Sequence, residues 1–199
     1  MQTHIILVGH ALTQWNVDGR IQGHTDTPLN RTGRKMAEQL AQRLADEEIA
    51  AIYASDLQRA VKTAEPVAQL KGLAVTTDVR LREGRSVNQE TSQRYPTLSF
   101  HQTFETEADV RHRMLAVLTE TAEAHSGKRV LVVSHMGAIG IFIAHLLNHF
   151  PDHGAVSYQG KRTALNQLRY ANGCWTCLSV DDDRHLRAMD GASIHANHG

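Results

Sequence analysis

Three things are scarce in this sequence. Charge of one sign is absent: 21 Lys and Arg stand against 21 Asp and Glu, a formal net charge of zero with histidine neutral. That balance argues against a chain held open by self-repulsion and against a general nucleic-acid binder, which carries a basic surplus. Long apolar runs are absent too. The continuous stretch near the N-terminus is Ile5-Ile6-Leu7-Val8, against about 7–15 apolar residues for a secretory signal and about 18 for a membrane helix. The chain reads as soluble and cytoplasmic, with neither membrane nor nucleic acid as partner. Cysteine is limited to two, in Cys174-Trp175-Thr176-Cys177. One such pair does not complete a four-cysteine zinc site. In a strand-like stretch, positions i and i+3 face opposite sides, so both read as structural.

Histidine, in contrast, is plentiful, with 13 in 199 residues. Most are expected to be surface or core histidines rather than ligands or catalysts. The length predicts a single domain over 1–199, with a polar tail from about residue 184 expected to be poorly ordered.

Residues 4–8 form a short, β-branched apolar run that suits a buried strand. Met36, Leu40 and Leu44 recur at helical spacing behind Thr32, a candidate cap. Ala50–Ala54 reads as a strand, followed by Ser55 as cap and Asp56 in the first turn of a helix. Pro66 should kink or end that helix. Leu73–Thr76 is a candidate third strand, and a long helix is predicted from Glu105 to His125. Arg129–Ser134 reads as a strand, Gly137–Leu147 as a helix, and Leu165–Tyr170 with Cys174–Val180 as a hairpin about Asn172-Gly173. This alternation predicts an α/β fold: three layers, a mainly parallel sheet with helices on both faces, and an antiparallel edge strand.

Ligands of open α/β sheets bind beyond the carboxyl ends of the strands. Two apolar strands deliver a histidine there, His10 after His4–Val8 and His135 after Arg129–Ser134. Arg59 opens a helix at the same edge. A neutral imidazole is a nucleophile toward phosphorus, an arginine fork suits two phosphate oxygens, and Glu83, among Arg80, Arg82 and Arg85, is the carboxyl at hand for a leaving alkoxide. Phosphoryl transfer fits this set.

Leu7-Val8-Gly9-His10-Ala11-Leu12-Thr13-Gln14-Trp15-Asn16 resembles the histidine phosphatase superfamily motif L-V-R-H-G-E-T-x-W-N, the group that includes phosphoglycerate mutases. Gly19–Asn30, Ala54–Ala60 with Thr63-Ala64, Leu81-Arg82-Glu83 and Val132–His135 match later blocks in order, over about residues 4–148. The resemblance implies a phosphoglycerate mutase-like fold in its compact phosphatase branch. It implies His10 as nucleophile, His135 and Arg59 as ligands of the phosphoryl oxygens, and Asn16, Gln22 and the Gly23 backbone as positioning groups. Glu83 would be the general acid and base. No metal or cofactor is required. The partner would be a small phosphorylated metabolite, and a homodimer is compatible with the family.

Three differences from the pattern fall at four positions. Gly9 replaces the arginine before the nucleophile, Ala11-Leu12 replaces Gly-Glu, and Met136 stands where glycine follows the second histidine. Losing one charged hydrogen-bond partner costs about 1.5–3 kcal/mol, or about 10- to 100-fold in rate. Arg20, Arg82 and Arg85 are candidate substitutes. Arg85, Arg94, His101, His153, Lys161 and Arg162, in segments expected to form a lid, are candidate substrate contacts. The leading expectation is a phosphomonoesterase with an altered phosphate clamp. The alternatives are a catalytically impaired binding or regulatory protein and, third, a phosphoglycerate mutase.

Overall fold

A computed structural model of the chain describes residues 1–84, 105–148 and 160–189. Its centre is a six-stranded sheet. β1 (Gln2–Gly9), β2 (Ala51–Ala54), β3 (Val75–Thr77) and β4 (Arg129–Ser134) are mutually parallel. β5 (Leu165–Ala171) runs antiparallel to β1, and β6 (Cys174–Asp182) antiparallel to β5. The order is β3-β2-β4-β1-β5-β6. The reversed strand thus lies one position in from the edge, with β6 outside it.

The unbroken apolar runs of β1 and β4 follow from their central place, because both faces of each strand are covered. Ile5, Leu7, Val130 and Val132 pack on one side with Val110, Met114 and Leu118 of α4 (Glu107–Ala124) and Ile139, Phe142 and Ile143 of α5 (Met136–Asn148). Ile6, Val8, Leu131 and Val133 pack on the other with Leu40 and Ala41 of α2 (Arg31–Arg43) and Ala60, Ala64 and Val67 of α3 (Gln58–Lys71). Each large side chain buried this way contributes about 1.5–3 kcal/mol. α1 (Gln14–Val17) is a single turn with a Thr13–Asn16 capping box.

Several boundaries differ from expectation for local reasons. The cap of α2 is Asn30, whose side chain accepts the Gly33 amide at 2.8 Å, rather than Thr32. At α3 the cap position is Leu57, and Asp26, from a distant loop, accepts the Gln58 amide at 2.7 Å. Ser55 and Asp56 are thereby free to turn elsewhere. Pro66 does not end α3, which continues to Lys71 with Ala64, Val67 and Ala68 buried against the sheet; packing outweighs the missing N–H. Asn172 and Gly173 both have positive φ (52° and 77°), as the tight β5–β6 turn requires.

Residues 184–189, within the tail expected to be poorly ordered, form a 3-10 helix instead. The reason is Leu186, buried with Leu12, Leu29 and Met36. Cys174 and Cys177 are free thiols on β6. Among the described residues no helix is long and apolar enough to cross a membrane.

Candidate active site

The sheet order sets the ends of β2, β4 and β1 side by side. Backbone bonds continue past the strands: the His10 amide donates to Ser134 O and the Ser55 amide to Val133 O, both at 2.9 Å. His10, His135, Ser55 and Arg59 consequently meet at one edge. His10 and Arg59 line a cavity of about 320 Å³ together with Asn16, Gln22, Gly23, Glu83, Arg20, Ile21, Met136 and Arg162, while His135 and Ser55 lie buried outside that lining. His135 lies fully buried against His10, with ring centroids 5.1 Å apart. A larger surface depression, bordered by Gln39, Gln42, Arg43, Arg184 and His185, gathers none of these groups; Asp182 already pairs with both of its arginines.

His10 Nδ1 lies 2.7 Å from the Ala11 carbonyl. A carbonyl only accepts, so Nδ1 carries the proton and Nε2 keeps its lone pair. Burial, then the charges of Arg162 and Arg59, hold His10 well below its ordinary pKa, against a smaller upward pull from the Ala11 bond. The ring is therefore neutral near pH 7. His135 is depressed likewise, by burial first and then by His10 and Arg59. The Ser55 hydroxyl lies 2.9 Å from His135 Nε2 and accepts from the Leu57 amide at 3.4 Å. With the Ser55 proton on Nε2, the ring proton of His135 sits on Nδ1; with Nε2–H donating to Ser55, Nδ1 is the acceptor.

Arg59 is almost fully buried, and burial pushes its pKa down to about 10. Nη1 and Nη2 each donate to a backbone carbonyl, Thr25 and Gly23, both at 2.7 Å. Arg59 Nε and His135 Nδ1 are both buried without a hydrogen-bond partner among the described residues. Buried polar atoms in that condition call for a partner, and for the Arg59 N–H that partner is an acceptor. Asn16 Oδ1 accepts the Thr13 amide at 3.1 Å, and Gln22 Oε1 accepts from the hydroxyls of Thr13 and Thr27. With their oxygens so engaged, both side chains have their NH₂ groups left to donate.

Glu83 closes the opposite wall. Its Oε1 accepts from the amides of Ala138 (2.9 Å) and Gly84 (3.0 Å), and its Oε2 from Gly137 (3.2 Å), so it caps the start of α5. Glycine at 137 is what admits it: a Cβ there would stand 2.6 Å from Oε1. The segment before Glu83 has little regular structure and is held by its carbonyls. Arg113 donates to Arg80 O (2.6 Å) and Arg82 O (2.7 Å), Ser134 to Leu81 O (2.7 Å), and His24 Nε2 to Glu83 O (2.8 Å). Sequence reasoning singled out neither His24 nor Arg113 nor Ser134 for this, since each is far from residue 83 in the chain. Thr63 is similar, accepting the Ala11 amide at 2.9 Å and so fixing the turn after His10.

The departures from the motif are coupled in space. A Cβ at position 9 would meet Met136 Sδ at 2.3 Å; Met136 fills the volume that a side chain before His10 would need. Leu12 and Ala11 are core residues with Leu186. Arg82 is held by Asp56 through two bonds of 2.6 and 2.7 Å. Arg20 is exposed, its guanidinium 3.7 Å over the Trp15 ring. Lys161 pairs with Asp183. Arg85, Arg94, His101 and His153 lie outside the described residues. Among the described residues no three His, Cys, Asp or Glu side chains gather as a metal-ligand set.

A family model of the histidine phosphatase superfamily (branch 1) matches residues 5–183. The chain belongs to that superfamily. Among its relatives is a probable phosphoglycerate mutase GpmB of Yersinia enterocolitica, 32% identical over 92% of this chain and 94% of its own. Solved structures of the superfamily superpose closely. YhfR of Bacillus stearothermophilus does so with a TM-score of 0.80 at 30% identity, over 92% of this chain and 99% of its own. A phosphoserine phosphatase mutant of Entamoeba histolytica in complex with phosphoserine gives 0.75 at 25%, with the same coverage.

Proposed function

We propose that this superfamily member hydrolyses small phosphomonoesters through a phosphohistidine formed on His10. The observation that carries the reading is the Nδ1–H bond of His10 to Ala11, which leaves a neutral Nε2 beside Arg59 and Glu83 in one cavity. Nε2 attacks phosphorus, and the bond to the ester oxygen breaks. Arg59, His135, Asn16, Gln22 and the Gly23 backbone meet the phosphoryl oxygens and stabilise their charge in the transition state. The leaving oxygen takes a proton from Glu83. Water then gives a proton to Glu83 as it attacks the phosphohistidine, releasing phosphate and restoring His10. The unpaired Arg59 Nε–H, and His135 Nδ1 where it carries the ring proton, support an anion at this place.

Relatives named for phosphoserine and phosphoglycerate chemistry suggest small phosphorylated metabolites as substrates, in keeping with the cavity's size. One observation favours a second reading, a protein that binds phosphate esters but turns them over poorly: Met136 stands in the space beside Gly9.

The test is phosphate release from an aryl phosphate, phosphoserine and phosphoglycerate, with the phosphoenzyme trapped by acid-free quenching. Turnover and labelling are expected for the natural protein and neither for His10→Ala. Activity that survives His10→Ala would overturn the mechanism. Binding with turnover far below about 1 per second would favour the second reading, and an isomerised phosphoglycerate without free phosphate would indicate a mutase.

A further inference from the structure

We propose that Arg162 provides the phosphate-binding cation that position 9 lacks, approaching the phosphoryl group from the β5 side of the cavity. This rests on the phosphomonoesterase reading above.

Topology brings it there. β5 runs antiparallel to β1, so the residues that enter β5 lie where β1 ends, with Asn166 opposite Leu7. The Thr163 amide donates to the carbonyl of Gly9 itself at 3.0 Å. Arg162 is thus one residue from a direct backbone tie to the very position whose side chain is missing. Thr163 is fully buried and adopts φ +55°, a left-handed conformation that a β-branched residue rarely takes. Its hydroxyl lies 3.2 Å from His185 Nε2. Such a turn fixes the direction in which the preceding side chain leaves the backbone, and Arg162 lines the cavity.

Of the other arginines near the site, Arg82 and Arg113 are committed elsewhere, whereas Arg20 lines the same cavity at its exposed side. Arg82 is doubly bonded to Asp56, Arg113 is bonded to Glu105 and two carbonyls, and Arg20 is exposed over Trp15. Arg162 is half-buried and forms no salt bridge with another described residue. Burial lowers its pKa, with the Glu83 carboxylate opposing, and after burial it is the largest charge acting on His10, ahead of Arg59. A partly desolvated guanidinium beside the nucleophile, facing an anionic substrate, offers a planar fork to two oxygens.

The experiment compares the natural protein, Arg162→Ala, Arg162→Lys, and Arg162→Ala combined with Gly9→Arg and Met136→Ala. Readouts are kcat/KM on an aryl phosphate, Kd for inorganic phosphate, and thermal unfolding to verify folding. Arg162→Ala is expected to lose about 10- to 100-fold in kcat/KM and to bind phosphate more weakly, while staying folded. Arg162→Lys should recover part of the loss, and the triple variant at least ten-fold over Arg162→Ala. A folded Arg162→Ala protein with unchanged kcat/KM and phosphate affinity overturns the inference while leaving the His10 mechanism intact. So does a loss that the triple variant fails to recover. If the natural protein hydrolyses nothing, the His10 reading fails, and phosphate affinity alone then decides the role of Arg162.

Discussion

Gly137→Ala separates the position of Glu83 from the stability of the fold. In the first turn of α5 this replacement ordinarily stabilises by about 0.5–1 kcal/mol, because glycine loses more backbone entropy than alanine. Here the new Cβ would stand 2.6 Å from Glu83 Oε1 and 3.2 Å from its Cδ. The carboxyl is the softer partner, being the end of a flexible side chain, so it moves rather than the helix. Moving it breaks the amide bonds from Gly84, Gly137 and Ala138. Bonds to a charged group are worth about 1.5–3 kcal/mol each when fully lost, but water reaches this half-buried carboxyl and replaces part of them. The net expected is about 1–2 kcal/mol of destabilisation, or some 2–8 °C in Tm for a chain of this size. Catalysis should suffer far more. With the proposed acid displaced, turnover of an alkyl phosphate is expected to fall about 10²–10⁴-fold. An aryl phosphate with a good leaving group needs little protonation and should fall much less in the phosphorylation step. The assay is pre-steady-state phosphoenzyme formation with substrates of graded leaving-group pKa, alongside thermal unfolding. A Gly137→Ala enzyme that phosphorylates on alkyl phosphates at the natural rate would refute the assignment of Glu83 as acid.

Three further outcomes are expected. Gly9→Arg alone should destabilise by about 1–3 kcal/mol through overpacking against Met136, and Met136→Ala should relieve it, with a coupling above about 1 kcal/mol in denaturant unfolding; additive effects would refute the steric link. Arg113→Ala removes bonds to Glu105 and to the carbonyls of Arg80 and Arg82; about 2–4 kcal/mol of stability and a kcat loss weighted to alkyl phosphates are expected, and unchanged leaving-group dependence would count against its positioning role. Burial holds His185 down to about 4. The unfolded chain, titrating near 6.5, then binds the extra proton between about pH 6.5 and 4, so stability is full above that window and falls as pH drops through it, by at most about 3 kcal/mol. Urea midpoints across this range test it, and a slope unaltered by His185→Gln would be the contrary result.

The sheet and its two histidines were legible because they are written locally. Two apolar strands ending in His10 and His135 say where the core lies and which edge gathers the two histidines. The caps were less legible: Asp26 serves α3 from 32 residues away, and no local pattern announces that. Pro66 misled because local propensity takes no account of the burial of Val67 and Ala68. The residues that steady Glu83 were invisible for the same reason, each reaching a carbonyl across the fold. Arg162 had one readable signal. The Asn172-Gly173 turn predicts a hairpin, and pairing of its first strand antiparallel to β1 would have returned residue 162 to the end of that strand.

The contact between position 9 and Met136 also constrains sequence variation. A side chain at 9 and the Met136 thioether compete for one volume, so the two replacements are epistatic. A side chain at position 9 requires the Met136 thioether to move aside, so a small residue at 136 favours any larger residue at 9. The packing therefore links the two positions, and relatives carrying arginine at 9 should carry a small residue at 136.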